Sequence, residues 1–519
     1  MRGAIAAGHP LTAEAGARVL AEGGNAVDAC IAAGFTSWVT ESPLTGPGSG
    51  GFMLVHRAGS TAPRVLDFFV TAPGKDHPAQ AAAMEAVSVE FTSESSQVFR
   101  VGAASCAVPG SVAGLAEVHR THGTRPWETL VEPAVALARG GVKLTRPQAH
   151  LHAILDLILR RTEEGRAIYG RDGRLAAGEP VVMKDLALTL EAIAERGASA
   201  FYEGAIAQAM AAHVNEQGGT LTTRDLADYR PVWRRPVRAV FQEHEFVANP
   251  PPSSGGVLVG YALRLLDRVG VGGPPGSADA TAALVEVMRE QSRARDGRFG
   301  RELHRGGLAK RLLADETIRE AAARVRRRER GLAEASGSPG TTHISVVDGD
   351  GNAASLTAST GSGSGVIVPG TGVHLNNMLG EFDLHVSDGA IRPGRRLNSM
   401  MAPSVVLRGR EPRLVLGSAG SLRLRGAILQ IVVNVVAHGM SVDDAVAAPR
   451  IHLEEPSVHC EGGADAAELD RLSGWGYEVV RWRRRNLYFG GAAGVELRPD
   501  GRLAAAGDPR RGGHGIVVE

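Results

Sequence analysis

The sequence predicts a mixed α/β protein, on three observations. Apolar residues recur at helical spacing near the N-terminus, the same spacing returns several times through a long central stretch, and a segment opening at Thr341 alternates β-branched residues about a tight turn. The 519 residues are enough for two or three ordinary domains or one large one.

Leu11, Ala15, Val19 and Leu20 place a helix over Leu11 to Leu20, and Gly23-Gly24 supplies its stop. A second apolar segment, Ala26 to Val39, reads as a buried helix. Gly46-Pro47-Gly48-Ser49-Gly50-Gly51 then forms a glycine-rich turn before a short strand, Phe52 to His56. A phosphate-cradling loop needs the strand before its glycines and a helix after them, so close backbone packing is the better reading. From Gly110 to Leu332 the pattern is mostly helical, with segments Ser111 to His122, Trp127 to Arg139 and Thr281 to Arg295. Pro250-Pro251-Pro252-Ser253-Ser254-Gly255-Gly256 reads as a loop. The basic run Val325-Arg326-Arg327-Arg328 fits a solvated helix face better than a polyanion site. Ala335-Ser336-Gly337-Ser338-Pro339-Gly340 has the content of a flexible linker.

Lys and Arg number 57 against 56 Asp and Glu, a net charge of +1, so charge points to neither nucleic acid nor an anionic membrane. A small, roughly neutral molecule is the expected partner, and a homo-oligomer is left open. Cys30, Cys106 and Cys460 have no metal-ligand spacing and read as buried small hydrophobes. The opening residues have no long apolar segment or small-residue cleavage site, and no stretch reaches the roughly 18 apolar residues of a membrane span. The expected location is the cytoplasm.

Thr341-Thr342-His343-Ile344-Ser345-Val346-Val347 is a strand by β-branched content, Asp348 to Asn352 is turn chemistry, and Ala353 to Ser359 resumes the alternation. Pairing Val347 with Ala353 sets Ser345 against Ser355, His343 against Thr357 and Thr341 against Ser359, because antiparallel partners keep a constant index sum. An ordinary hairpin with hydroxyl pairs would satisfy this pattern. The junction with the linker suggests more. A threonine hydroxyl needs a nearby base, and a terminal α-amine, with a pKa of about 7.7 to 8.0, suits that work. Cleavage between Gly340 and Thr341 would create that amine on the same residue.

Along nearly its whole length the chain resembles the γ-glutamyltransferase family of N-terminal-nucleophile hydrolases. The resemblance is carried by His9-Pro10-Leu11 through Asn25-Ala26-Val27-Asp28, Gly50-Gly51-Phe52-Met53-Leu54, Val108-Pro109-Gly110-Ser111, Thr341-Thr342-His343 and Asp350-Gly351-Asn352. Leu375-Asn376-Asn377-Met378, Gly417-Ser418-Ala419-Gly420-Ser421 and His438-Gly439-Met440 extend it. It implies a four-layer αββα sandwich, cleavage into a large subunit, 1–340, and a small catalytic subunit, 341–519, and no metal or organic cofactor. By the same resemblance Thr341 is the nucleophile and Ser359 stands where a second threonine supports it. Gly420 and Ser421 fall where a Gly-Gly pair offers N–H groups to the oxyanion. Asn398 and Ser399 take the place of a Ser-Ser pair that holds substrate.

The family's D-F-R-E segment binds the donor carboxylate through its arginine, whereas this chain has Asp67-Phe68-Phe69-Val70. Met378 and Glu381 replace a polar residue and an aspartate that bind the donor's amino-acid end. Arg423 or Arg425 would have to supply the missing cation if Phe69 merely packs in the core. The resemblance therefore implies a self-processing threonine hydrolase acting on a small-molecule amide that is not γ-glutamyl. A hydrolase of carbon–carbon bonds in an actinomycete 4-alkylproline pathway, of lincomycin or pyrrolobenzodiazepine type, and an uncleaved binding protein are the alternatives.

Overall fold

The computed structural model of the protein describes residues 2–77, 80–92, 95–327, 340–381 and 392–519. Among these, two large sheets lie face to face. The first runs, edge to edge, through His514–Val518, Gly3–Ala7, Thr342–Asp348, Ala353–Ser359, Gly50–His56, Arg64–Phe68 and Val232–Arg234. The second runs through Leu503–Gly507, Gly491–Leu497, Glu411–Ala419, Ser404–Arg408, His244–Ala248 and Val237–Phe241. Neighbouring strands within both sheets pair antiparallel.

Side-chain alternation sorts each strand between two layers. Ile5, Met53, Ile344, Val346 and Leu356 face helices Pro10–Ala21, Ala26–Thr40, Ser111–His122 and Trp127–Gly140, in one apolar core. Ala4, Ala6, Phe52, Leu54, Val347 and Ala353 point the other way, onto Val247, Val405, Val415 and Val495 of the second sheet. The far face of that sheet, with Phe246, Val406, Leu414 and Leu416, packs on helices Gly255–Val269, Ala278–Arg293 and Arg423–Val436. Helix, sheet, sheet and helix make a four-layer αββα sandwich.

The second helix is buried along its whole length, as its unbroken apolar run predicts. A capping box of Asn25 and Asp28 starts it, and its first N–H, on Ala26, donates to Asp348 in the hairpin at 2.9 Å. The three cysteines are buried and unlinked. The central stretch also contributes the three strands between Val232 and Ala248, too short and too interrupted to stand out from helical periodicity. Residues 335–339 of the linker and Arg328 of the basic run lie outside the described residues. Among those described, no helix is long and apolar enough to cross a membrane.

Candidate active site

The hairpin has the register that its index sum predicts, with Val347 against Ala353, Ser345 against Ser355 and His343 against Thr357. The ladder ends at Thr342 against Ala358, one pair short of Thr341, and Ser359 pairs on its other side with Gly50. His343 locks the hairpin to the second sheet: its ring meets the Thr357 hydroxyl at 2.7 Å and that of Ser345 at 2.9 Å, and Ser345 donates to the Ala493 carbonyl. Burial lowers the imidazole to about 3, so it stays neutral. Gly417 leaves room for it, since a Cβ there would lie 2.4 Å from the ring.

At the open end of the hairpin the Ser359 hydroxyl donates to the Gly340 carbonyl and accepts the Gly361 N–H at 2.8 Å. Gly340 is pressed on the backbone that follows Ser359, where an added Cβ would lie 1.4 Å from the Gly361 carbonyl oxygen. Thr341 and Gly340 both line a small cavity that opens to solvent. Phe69, Met378, Met400, Met401 and Leu424 form its apolar wall, and Ser359, Glu381, Ser399 and Ser421 bring polar groups. Among the described lining residues none carries a positive charge.

Three stretches of the wall are held from behind. Phe69 stacks on Phe52 at 5.6 Å, its N–H donates to Asp67, and its carbonyl accepts from Tyr229 and Arg396. Asn376 fixes the Met378 segment by donating to the Gly48 and Ala107 carbonyls and accepting the Met378 N–H. The loop at Pro250–Gly256 supports the next segment: Ser253 and Ser254 donate to the Ser399 carbonyl and Ser253 also to that of Met401. Gly255 is needed there, because a Cβ would meet the Met400 carbonyl oxygen at 1.9 Å.

Gly420 and Ser421 form the turn between strand Glu411–Ala419 and helix Arg423–Val436. Both have positive φ, 115° and 49°, and for a serine this left-handed backbone is strained, a cost that clusters at functional turns. The turn brings Ser421 to the cavity at the positive end of the helix dipole. Behind the hairpin, Thr342 faces the helical layer and donates to the Glu41 carboxylate at 2.5 Å, while Arg511 donates to the Thr341 carbonyl at 2.9 Å.

Of the residues singled out in the sequence, Phe69, Gly340, Thr341, Ser359, Met378, Glu381, Ser399 and Ser421 meet at this cavity. Asn398 and Gly420 are buried beside it without lining it. Arg423 and Arg425 do not line it either; Arg423 lies over the Tyr488 ring at 4.3 Å and Arg425 donates to the Leu422 carbonyl. Sequence reasoning missed Gly361, Met400, Met401 and Leu424, although Met400 and Met401 directly follow the Asn398-Ser399 pair.

The two face-to-face sheets, their helical covers and the threonine at the head of the central hairpin define an N-terminal-nucleophile hydrolase fold. The cephalosporin acylase from Bacillus halodurans superimposes with a TM-score of 0.85, at 25% identity over 99% of this chain and 95% of that one. The sequence pattern described as Gamma-glutamyltranspeptidase matches residues 12–518, and the chain belongs to that family of hydrolases. Acylase ACY 1 proenzyme of Pseudomonas sp. (strain SE83) is 32% identical over all of this chain and 94% of its own length. Glutathione hydrolase proenzyme of Pseudomonas aeruginosa is also 32% identical, over all of this chain and 95% of its own length.

Proposed function

We propose that the protein cuts itself between Gly340 and Thr341, into a large subunit, 1–340, and a small one, 341–519, and that Thr341 is then the nucleophile of an amide hydrolase. The Ser359 hydroxyl on the Gly340 carbonyl carries this reading, because that contact polarises the bond to be cut. The Thr341 hydroxyl oxygen adds to the Gly340 carbonyl carbon, its proton passes to the amide nitrogen, the C–N bond breaks, and the nitrogen leaves as the threonine α-amine. Water then hydrolyses the resulting ester. In turnover the freed amine takes the hydroxyl proton as the oxygen attacks a substrate carbonyl, with N–H groups at Gly420 and Ser421 receiving the oxyanion. The amine product departs with that proton, and water releases the acyl group from Thr341.

Overall identity does not separate an acylase from a glutathione hydrolase, since relatives of both names stand at 32%. The cavity does favour one. Its wall of Phe69, Met378, Met400, Met401 and Leu424 offers apolar surface, and Arg423 and Arg425 face elsewhere. A carboxylate there would be poorly paired, so the reading is an apolar acyl portion rather than γ-glutamyl. The three methionines suit a ring or chain of irregular shape.

Purified protein should run as two fragments on a denaturing gel, and Thr341→Ala as one chain of full mass. A single band from the unmutated protein refutes self-cleavage and favours a binding role, and splitting of the variant at the same bond refutes self-cleavage by Thr341. Mass spectrometry of the processed protein with acyl amides and with ketones decides between amide and carbon–carbon cleavage.

A further inference from the structure

Two charged residues remain unexplained by this reading, one on each side of the nucleophile's backbone. Glu41 ends helix Ala26–Thr40, where its buried carboxylate accepts the Thr342 hydroxyl at 2.5 Å and that of Thr12 at 3.4 Å. Arg511, on the turn before the last strand, donates to the Thr341 carbonyl at 2.9 Å. The two side chains line one cavity behind the hairpin, with Arg510, His152 and Gln148. That space is shaped for a carboxylate: a Cβ on Gly8 would lie 2.2 Å from the nearer Glu41 oxygen.

Alternation along the strand gives this placement its meaning. Thr341 lines the catalytic cavity, while Thr342, the first residue of the strand, turns its hydroxyl toward the helices and Glu41. A grip on the Thr342 hydroxyl and a second on the Thr341 carbonyl therefore hold the peptide plane between them without occupying the cavity. We propose that Glu41 and Arg511 are positioning residues, a two-point clamp that aims the Thr341 hydroxyl at the carbonyl it attacks. The clamp rests on the self-cleavage reading. A displacement of about 1 Å at a nucleophile can cost about a hundredfold in rate, so weak contacts suffice to matter.

The ionic state of Glu41 supports the geometry. Burial raises its carboxyl to about 7, against the pull of the Thr342 and Thr12 hydroxyls and of the Arg511 guanidinium. Arg511 is itself lowered by burial to about 10, with Asp508 and Glu41 acting to raise it and Arg423 and Arg450 to lower it further. The groups that face the carboxyl are thus Thr12 and Thr342, Arg511, and the Arg510 and His152 of the shared cavity.

The test has two arms. Fragment formation is followed in freshly purified full-length protein, unmutated and as Glu41→Gln, Arg511→Ala and Thr342→Val, alone and in pairs. The clamp predicts losses of about tenfold to a hundredfold for each single variant, rescue by Thr342→Ser but not by Thr342→Val, and no additional loss when Glu41→Gln is combined with Thr342→Val. It also predicts that the rate's limb near neutral pH disappears in Glu41→Gln. Unchanged rates, or losses that simply multiply and follow lowered Tm, overturn it. The second arm needs no cleavage: crystal structures of Thr341→Ala and of Thr341→Ala with Glu41→Gln should differ in where the residue 341 carbonyl lies. An unmoved carbonyl overturns the clamp, whereas failure of the unmutated protein to cleave counts against the self-cleavage reading alone.

Discussion

The hydroxyl of Ser359 points at the carbonyl oxygen of Gly340, while its own oxygen accepts the N–H of Gly361. The accepted N–H orients the hydroxyl hydrogen toward the carbonyl, so Ser359 acts as a donor to the bond before Thr341.

Ser359→Ala should slow the appearance of the two fragments by about fivefold to a hundredfold, the loss expected when a buried carbonyl forfeits a donor worth about 1 to 3 kcal/mol. Time courses on denaturing gels measure this. A rate equal to that of the unmutated protein would remove Ser359 from the reaction.

Gly340→Ala should impair both cleavage and folding, because its Cβ would sit 1.4 Å from the Gly361 carbonyl oxygen. Overpacking of this kind costs about 1 to 3 kcal/mol. Thermal melts of Thr341→Ala with and without Gly340→Ala isolate the packing cost, and equal Tm values would refute it.

Processed protein should show negligible turnover of γ-glutamyl anilides, and Phe69→Arg should raise it weakly, since Met378 and Glu381 remain on the same wall. Chromogenic release of the aniline is the assay. Efficient γ-glutamyl turnover without mutation would defeat the specificity argument and leave the Thr341 mechanism intact.

Stability should fall as pH rises from about 4.5 to about 7, in a way traceable to Glu41. Its carboxyl moves from 4.5 to about 7 on folding, so the folded state favours the protonated form. The associated stabilisation is complete below about pH 4.5 and is lost as pH rises to about 7, a change of about 3 kcal/mol. Melts of Thr341→Ala between about pH 4 and pH 8 should show this decline, and adding Glu41→Gln should flatten it. Parallel curves for the two proteins would contradict the assignment.

Local chemistry made the hairpin legible in the sequence, because a turn at Asp348 to Asn352 fixes the partners of every residue in the two strands. The helices around it were legible for a similar reason, their period and caps being written within a few residues. The cavity was legible only where the family resemblance supplied positions. Met400 and Met401 reach it because Ser253 and Ser254, about 145 residues earlier, hold their segment. Glu41 lies 301 residues before Thr342, and Arg511 lies 170 after Thr341. Such meetings depend on how whole layers stack, and neither period nor composition records them.

The wall of the cavity is built outside the sheets: Phe69 follows a strand, Met378 sits in a short turn, Ser399 to Met401 precede another strand, and Leu424 opens a helix. The threonine, by contrast, heads a central strand. On the function proposed above, selectivity and reactivity are therefore separately editable. A mutant library confined to positions 69, 378, 400, 401 and 424 could be searched for new acyl preferences with the hairpin untouched, and self-cleavage on a gel would report, clone by clone and before any substrate is chosen, which members still carry a working nucleophile.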